Sequence, residues 1–223
     1  MKRFSVFVAI MVIVASAISF SSEAFGQSGR KVLMIPREGY SADLDLMIKM
    51  EVGVMNLLLK NAGFGVDIAT PSAMPILGPT RKIEKVLRVS EVKLDDYVGV
   101  IIPCMAVGSF PGPAVPPEVV AIIKKALSEG KPVAANGNAP IILAQAGVLK
   151  GKKYSFSRDP LKATKQMPRT DFRFEGAIYS GSGVVQDGKI ITSGVCPTIE
   201  SSQGLEGGTV KITKVFIAAI SPN

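Results

Sequence analysis

The feature that most constrains this chain is a set of short runs that are apolar at nearly every position, each followed by a segment with helical spacing. Val98 to Ile102 is the most continuous, and Pro103 ends it. Lys31 to Ile35 ends at Pro36, Phe64 to Ala69 is a further strand, and Pro132 to Ala135 runs into Asn136. A strand with one wet face alternates apolar and polar residues, whereas a strand apolar on both sides needs cover on both. Between these runs, Asp43 to Asn61 places Leu46, Ile48, Met50, Val54, Leu57 and Leu58 at helical spacing and closes at Ala62-Gly63, glycine being a common helix stop. Glu118 to Ser128 and Pro140 to Ala146 also read as helices, as does Thr209 to Ile220 despite its β-branched residues. Val184 to Thr192 holds a hairpin turn at Asp187-Gly188. Pro71, Pro75, Gly78 and Pro79 mark one loop, and a Gly/Pro-rich loop runs from Pro103 to Pro117. The alternation predicts an α/β fold with a mostly parallel sheet and helices on both faces. In such sheets ligands bind beyond the carboxyl ends of the strands, so the loops after Ile35, Ile102, Ala135 and Thr192 are the ones to watch.

Composition narrows the chemistry. The 223 residues contain no histidine and two cysteines. This rules out Ser-His-Asp and Cys-His arrangements, histidine zinc sites and a four-thiolate site. Proton transfer falls to carboxylates, lysines, tyrosines or a thiol, and no metal or cofactor is expected. The length suits one domain of ordinary size, or at most two small ones.

Lys2 and Arg3 precede an apolar stretch from Phe4 to Phe20, and Ser21, Ser22 and Ala24 follow. That order reads as a secretory signal peptide over residues 1–24, with cleavage after Ala24 preferred and Ala17 or Gly26 as alternatives. An uncleaved membrane anchor is the competing reading, although the stretch falls short of the roughly 20 apolar residues a spanning helix needs. Cleavage removes two positive charges and one negative from the net +8, leaving +7 on the domain 25–223. The expectation is an exported protein, periplasmic or secreted, touching membrane only through the signal segment. In an oxidising compartment Cys104 and Cys196 can form one disulfide, or remain two buried thiols.

Four pieces of the chain carry a family likeness. They are the first strand and its helix ending Asn61-Ala62-Gly63-Phe64, Leu94-Asp95-Asp96-Tyr97 with the strand up to Pro103, Pro132 to Pro140 with Gly147 to Lys152, and Val185 to Ser193. In order and spacing the chain resembles the ThiJ/PfpI family, of class I glutamine-amidotransferase-like, flavodoxin-like fold. The resemblance implies a nucleophile elbow at Ala135-Asn136-Gly137-Asn138-Ala139, where the family usually carries a reactive cysteine. Here that position is Gly137, and glycine adopts a strained strand-to-helix turn at little steric cost. Asn136-Gly137-Asn138 therefore reads as a tight turn rather than a new catalytic group. The family's Pro-Gly-Gly after the third strand is Pro103-Cys104-Met105 here, so side chains stand where backbone amides would face an oxyanion.

The resemblance also implies that Glu51, eleven residues before Ala62, points from the first helix towards the elbow. A solvated helix glutamate is the alternative, and Met50 and Val54 beside it favour burial. By the family layout Cys104 and Cys196 both border the old active site. A bridge between them would close a loop of about 90 residues, worth about 4 kcal/mol in the chain-entropy model. From Lys150 to Arg173 there are eight basic residues and two acidic ones. This reads as a solvated loop or as a docking face for an anionic partner, nucleic acid not being expected. The leading functional expectation is a non-catalytic domain binding a small molecule or partner through the remnant pocket, with a homodimer expected from the habit of relatives. The alternative is a hydrolase or reactive-carbonyl-removing enzyme using Glu51 and Cys104.

Overall fold

The computed structural model describes residues 29–104, 115–163, 165, 169–203 and 207–222. The expected signal segment 1–24 and Met105 lie outside them. Seven strands form the main sheet: β1 Lys31–Met34, β2 Gly65–Thr70, β3 Leu87–Arg88, β4 Tyr97–Ile102, β5 Val133–Asn136, β6 Val184–Asp187 and β7 Ile190–Ser193. Their order is β6-β7-β5-β4-β1-β2-β3, and every neighbouring pair is parallel except the β6-β7 hairpin. The order reverses direction on either side of β1, which is where α/β sheets open a crevice beyond their strand ends.

Helices cover both faces, as the apolar runs require. They are α1 Leu44–Met47, α2 Gly53–Asn61, α3 Pro117–Ser128, α4 Pro140–Gln145, α5 Pro197–Gln203 and α6 Gly208–Ile220. Successive side chains along a strand point to opposite faces. Leu33, Val100, Ile102, Val133 and Ala135 pack with α3 and α4 residues such as Val119, Ile123 and Ile141. Val32, Met34, Ile101, Ala134 and Ile191 pack with Leu44, Met55, Leu59, Ile212 and Phe216 from α1, α2 and α6. Among the described residues, no helix is long and apolar enough to cross a membrane.

The first helical region departs from its expected face. Leu46, Met50 and Leu57 are 45%, 43% and 59% exposed, while Leu44, Met47, Val52, Met55 and Leu59 are buried. The segment is apolar on more than one side, so spacing alone could not choose the inward stripe. That stripe also contains a glutamate, and a π-helical turn at Ile48–Val52 joins α1 to α2. The wider turn places Glu51 and Val52 side by side in the interior, and such turns are common at functional sites.

Candidate functional site

β4, β5 and β7 run parallel, so their carboxyl ends deliver three loops to one edge of the sheet. β5 ends at Asn136, and Gly137 turns the chain with φ +62° before α4 begins at Pro140. The Gly137 N–H donates to the Ser193 carbonyl at the end of β7 (2.7 Å), and the Ala139 N–H donates to the Asn136 carbonyl (3.0 Å). These bonds fix a sharp strand-to-helix corner where the resemblance placed the elbow.

Sulfur fills that corner. A Cβ built on Gly137 would lie 2.5 Å from Cys104 Sγ, 2.7 Å from Cys104 Cβ and 2.8 Å from Cys196 Cβ. The Asn138 N–H donates to Cys104 Sγ at 3.3 Å. Cys104 arrives from the end of β4, and Cys196 from the loop between β7 and α5. Both are free thiols and both are buried. The two side chains converge on the Gly137 corner as the family layout implied, but as two free thiols and not as a disulfide. That pairing treats the two thiols unequally. The neighbouring Cys104 side chain, with the backbone N–H groups of Ile199 and Thr198, brings the Cys196 thiol down to about 7 against its burial. The Cys104 thiol is pushed well up, first by the neighbouring Cys196 and then by burial and the nearby Glu51.

Glu51 completes the cluster and is fully buried. Its Oε1 accepts from the Cys104 N–H (2.8 Å) and from Asn136 Nδ2 (2.6 Å). Burial, seconded by charge on Cys196, pushes its carboxyl up to about 8, against the pull of those two donors. The carboxyl is therefore largely protonated at neutral pH. Its Oε2 and the Asn136 Oδ1 have no hydrogen-bond partner among the described residues. Asn136 Nδ2 also reaches Thr209 Oγ1 at 3.3 Å, tying the corner to the start of α6.

Of the expected site residues, the structure thus gathers Glu51, Cys104, Asn136, Gly137, Asn138 and Cys196. Burial of Glu51 comes from the π-helical turn and not from Met50, which faces outward. Thr209 was not anticipated, although a buried threonine at the head of an apolar helix is a readable signal. Among the described residues, no group of three or more His, Cys, Asp or Glu side chains is placed to hold a metal ion. In the basic stretch, Lys152 pairs with Asp187, Lys162 with Asp159 and Arg173 with Asp171, so its charge is partly offset by local carboxylates.

The match to known proteins follows the same boundaries. The model of the DJ-1/PfpI family matches residues 30–201. An uncharacterized protein of Methanocaldococcus jannaschii is 30% identical over 198 residues, 86% of this chain and 89% of that protein. A protein of Thermococcus kodakarensis named as a deglycase is 30% identical over 165 residues, 73% of this chain and 89% of that one. Among solved structures, a ThiJ/PfpI domain protein from Brachyspira murdochii aligns with a TM-score of 0.60 at 15% identity, covering 86% of this chain and 97% of its own. Drosophila melanogaster DJ-1beta aligns with a TM-score of 0.58 at 22% identity, covering 86% and 93%.

Proposed function

We propose that this chain, which belongs to the DJ-1/PfpI family, performs thiol chemistry on small reactive carbonyls with a sulfur supplied by the Cys104–Cys196 pair instead of by residue 137. One observation carries this reading: the space a side chain at 137 would enter is occupied by Cys104, bonded to the Asn138 N–H. The sulfur has changed its address, not left the site. The roles follow from the two environments. Cys196 holds the thiolate character, and thiolates are the nucleophilic form. Cys104 donates to it and orients it. Glu51, kept protonated by burial, supplies a proton where the carbonyl oxygen develops charge.

The first step is an addition. The Cys196 sulfur forms a bond to the carbonyl carbon, the π pair moves to oxygen, and Glu51 protonates it, leaving a hemithioacetal and a Glu51 carboxylate. With a 1,2-dicarbonyl substrate the former aldehyde hydrogen then lies next to the second carbonyl, and that carboxylate is the base that removes it. The protonated Glu51 returns that proton to the adjacent carbon while the hydroxyl proton of the first carbon passes to the second oxygen, giving a thioester, which water hydrolyses to a 2-hydroxy acid and the free thiol. That a relative is named a deglycase fits a carbonyl adduct as substrate.

A non-catalytic binding role is the second reading, and burial favours it: Cys104 is 7% exposed, Cys196 2% and Glu51 0%. Methylglyoxal consumption by reduced protein separates the two. Wild type is expected to turn over, with losses of roughly 100-fold or more in Cys196→Ser and in Glu51→Gln. Absence of turnover in the wild type, or rates unchanged in both variants, would leave binding as the function. The proposal includes export through residues 1–24. N-terminal sequencing of the protein from its native cell should begin at Phe25, and a retained Met1 would refute it.

A further inference from the structure

We infer that the Cys104–Cys196 pair is also a two-coordinate site for a soft monovalent cation, Cu(I) or Ag(I). This goes beyond the carbonyl chemistry, because it needs both sulfurs together and no substrate. The two thiols come from different loops, after β4 and after β7, and converge on the Gly137 corner. Both reach the same point, since a Cβ on Gly137 would lie 2.5 Å from Cys104 Sγ and 2.8 Å from Cys196 Cβ, and both are buried. The atoms around them decide which ion fits.

Hard cations need several oxygen ligands, and zinc sites need four ligands, or three plus a water. The described residues offer neither. Glu51 directs Oε1 to the Cys104 N–H and to Asn136, and no three-ligand cluster of the required types exists among them. No histidine occurs anywhere in the chain. What remains is a pair of sulfurs, and thiolate ligands select soft ions such as Cu(I). Gly137 is the permissive element. Any Cβ there would collide with Cys104 Sγ and with both cysteine Cβ atoms, so the bare Cα is what lets both cysteine side chains share one corner.

Binding forms two S–metal bonds and releases to solvent the Cys104 proton and any proton still on Cys196, leaving a bis-thiolate complex with one net negative charge. The metal changes no oxidation state.

The test is a titration of reduced, full-length protein with Cu(I) held by a coloured chelator, under anaerobic conditions and without carbonyl substrate. One equivalent per chain is expected to transfer from the chelator. Cys104→Ser and Cys196→Ser are each expected to weaken retention by roughly 100-fold or more. X-ray absorption of the wild-type complex should show two sulfur neighbours, a readout that does not depend on the variants folding. The inference is overturned if no copper transfers, if both serine variants retain it, or if the metal's neighbours are thioethers of the exposed Met50 and Met74. Because no turnover is measured, failure here leaves the carbonyl reading standing, and failure of turnover leaves this one standing.

Discussion

Gly137→Ala is expected to lower stability by about 2–5 kcal/mol in urea unfolding. Two costs combine. At φ +62° a Cβ in the left-handed region costs roughly 1–2 kcal/mol. The methyl would also enter space already taken by Cys104 and Cys196, at separations of 2.5 to 2.8 Å from their atoms. Overpacking of that kind typically costs about 1–3 kcal/mol. Gly137→Cys, the residue the resemblance implies, should fare no better and should not raise activity, because the site already contains its sulfur. A double-mutant cycle isolates the packing part. A Cys104→Ala background relieves the contact with Cys104 Sγ and leaves the two Cβ contacts, so the Gly137→Ala penalty should fall in part, a coupling of about 1 kcal/mol. A Gly137→Ala protein within about 0.5 kcal/mol of wild type would mean that the cysteines do not occupy the corner.

The second large effect is a stability that falls as pH rises. Glu51 goes from an ordinary 4.5 to about 8 in the folded protein. Between those values the unfolded chain has lost the proton and the folded one keeps it. The unfolded state binds fewer protons there, so stability drops by up to about 1.4 kcal/mol per pH unit from this group. Its contribution is fully present below about 4.5 and is lost as pH rises through about 8. Cys196 acts with the opposite sign, since its pKa falls from 9 to about 7. It adds stability as pH rises from about 7 to 9 and flattens the curve at its upper end. Urea midpoints should therefore decline from pH 5 to pH 7 and level off above. Glu51→Gln should remove most of that decline and be more stable than wild type at pH 7, because a neutral amide oxygen can still accept from Cys104 and Asn136. A Glu51→Gln curve parallel to wild type would show that the carboxyl titrates normally.

The sheet was legible because β4 and β5 are apolar on both faces, and only a doubly covered parallel sheet tolerates that. The hairpin was legible from Asp187-Gly188. Less was legible where local signals conflicted. Spacing in residues 43–61 pointed to Leu46, Met50 and Leu57, yet the buried stripe runs through Glu51, and no periodicity method expects a carboxylate inward. The short strand Leu87–Arg88 and the helix Pro197–Gln203 carry weak patterns, and neighbouring elements hold them in place. At the site, position 137 could be read as sulfur-free from the sequence. That Cys104 and Cys196 both border this corner was implied by the family layout; that they fill it as two free thiols and not as a disulfide depends on how three loops converge, and no single loop encodes it. Asn136 is a similar case. It read as a turn residue, but its amide holds Glu51 at 2.6 Å.

The account stands on an unequal thiol pair at the Gly137 corner, and pH-resolved alkylation with peptide-level mass spectrometry tests it most directly. Native reduced protein is pulsed with iodoacetamide between pH 5 and 10, and each cysteine is quantified separately. Cys196 should label first with a midpoint near 7, while Cys104 stays largely unmodified until the chain is unfolded. Equal labelling of the two, a shared midpoint near the ordinary 9, or resistance of both until the chain is unfolded would contradict it.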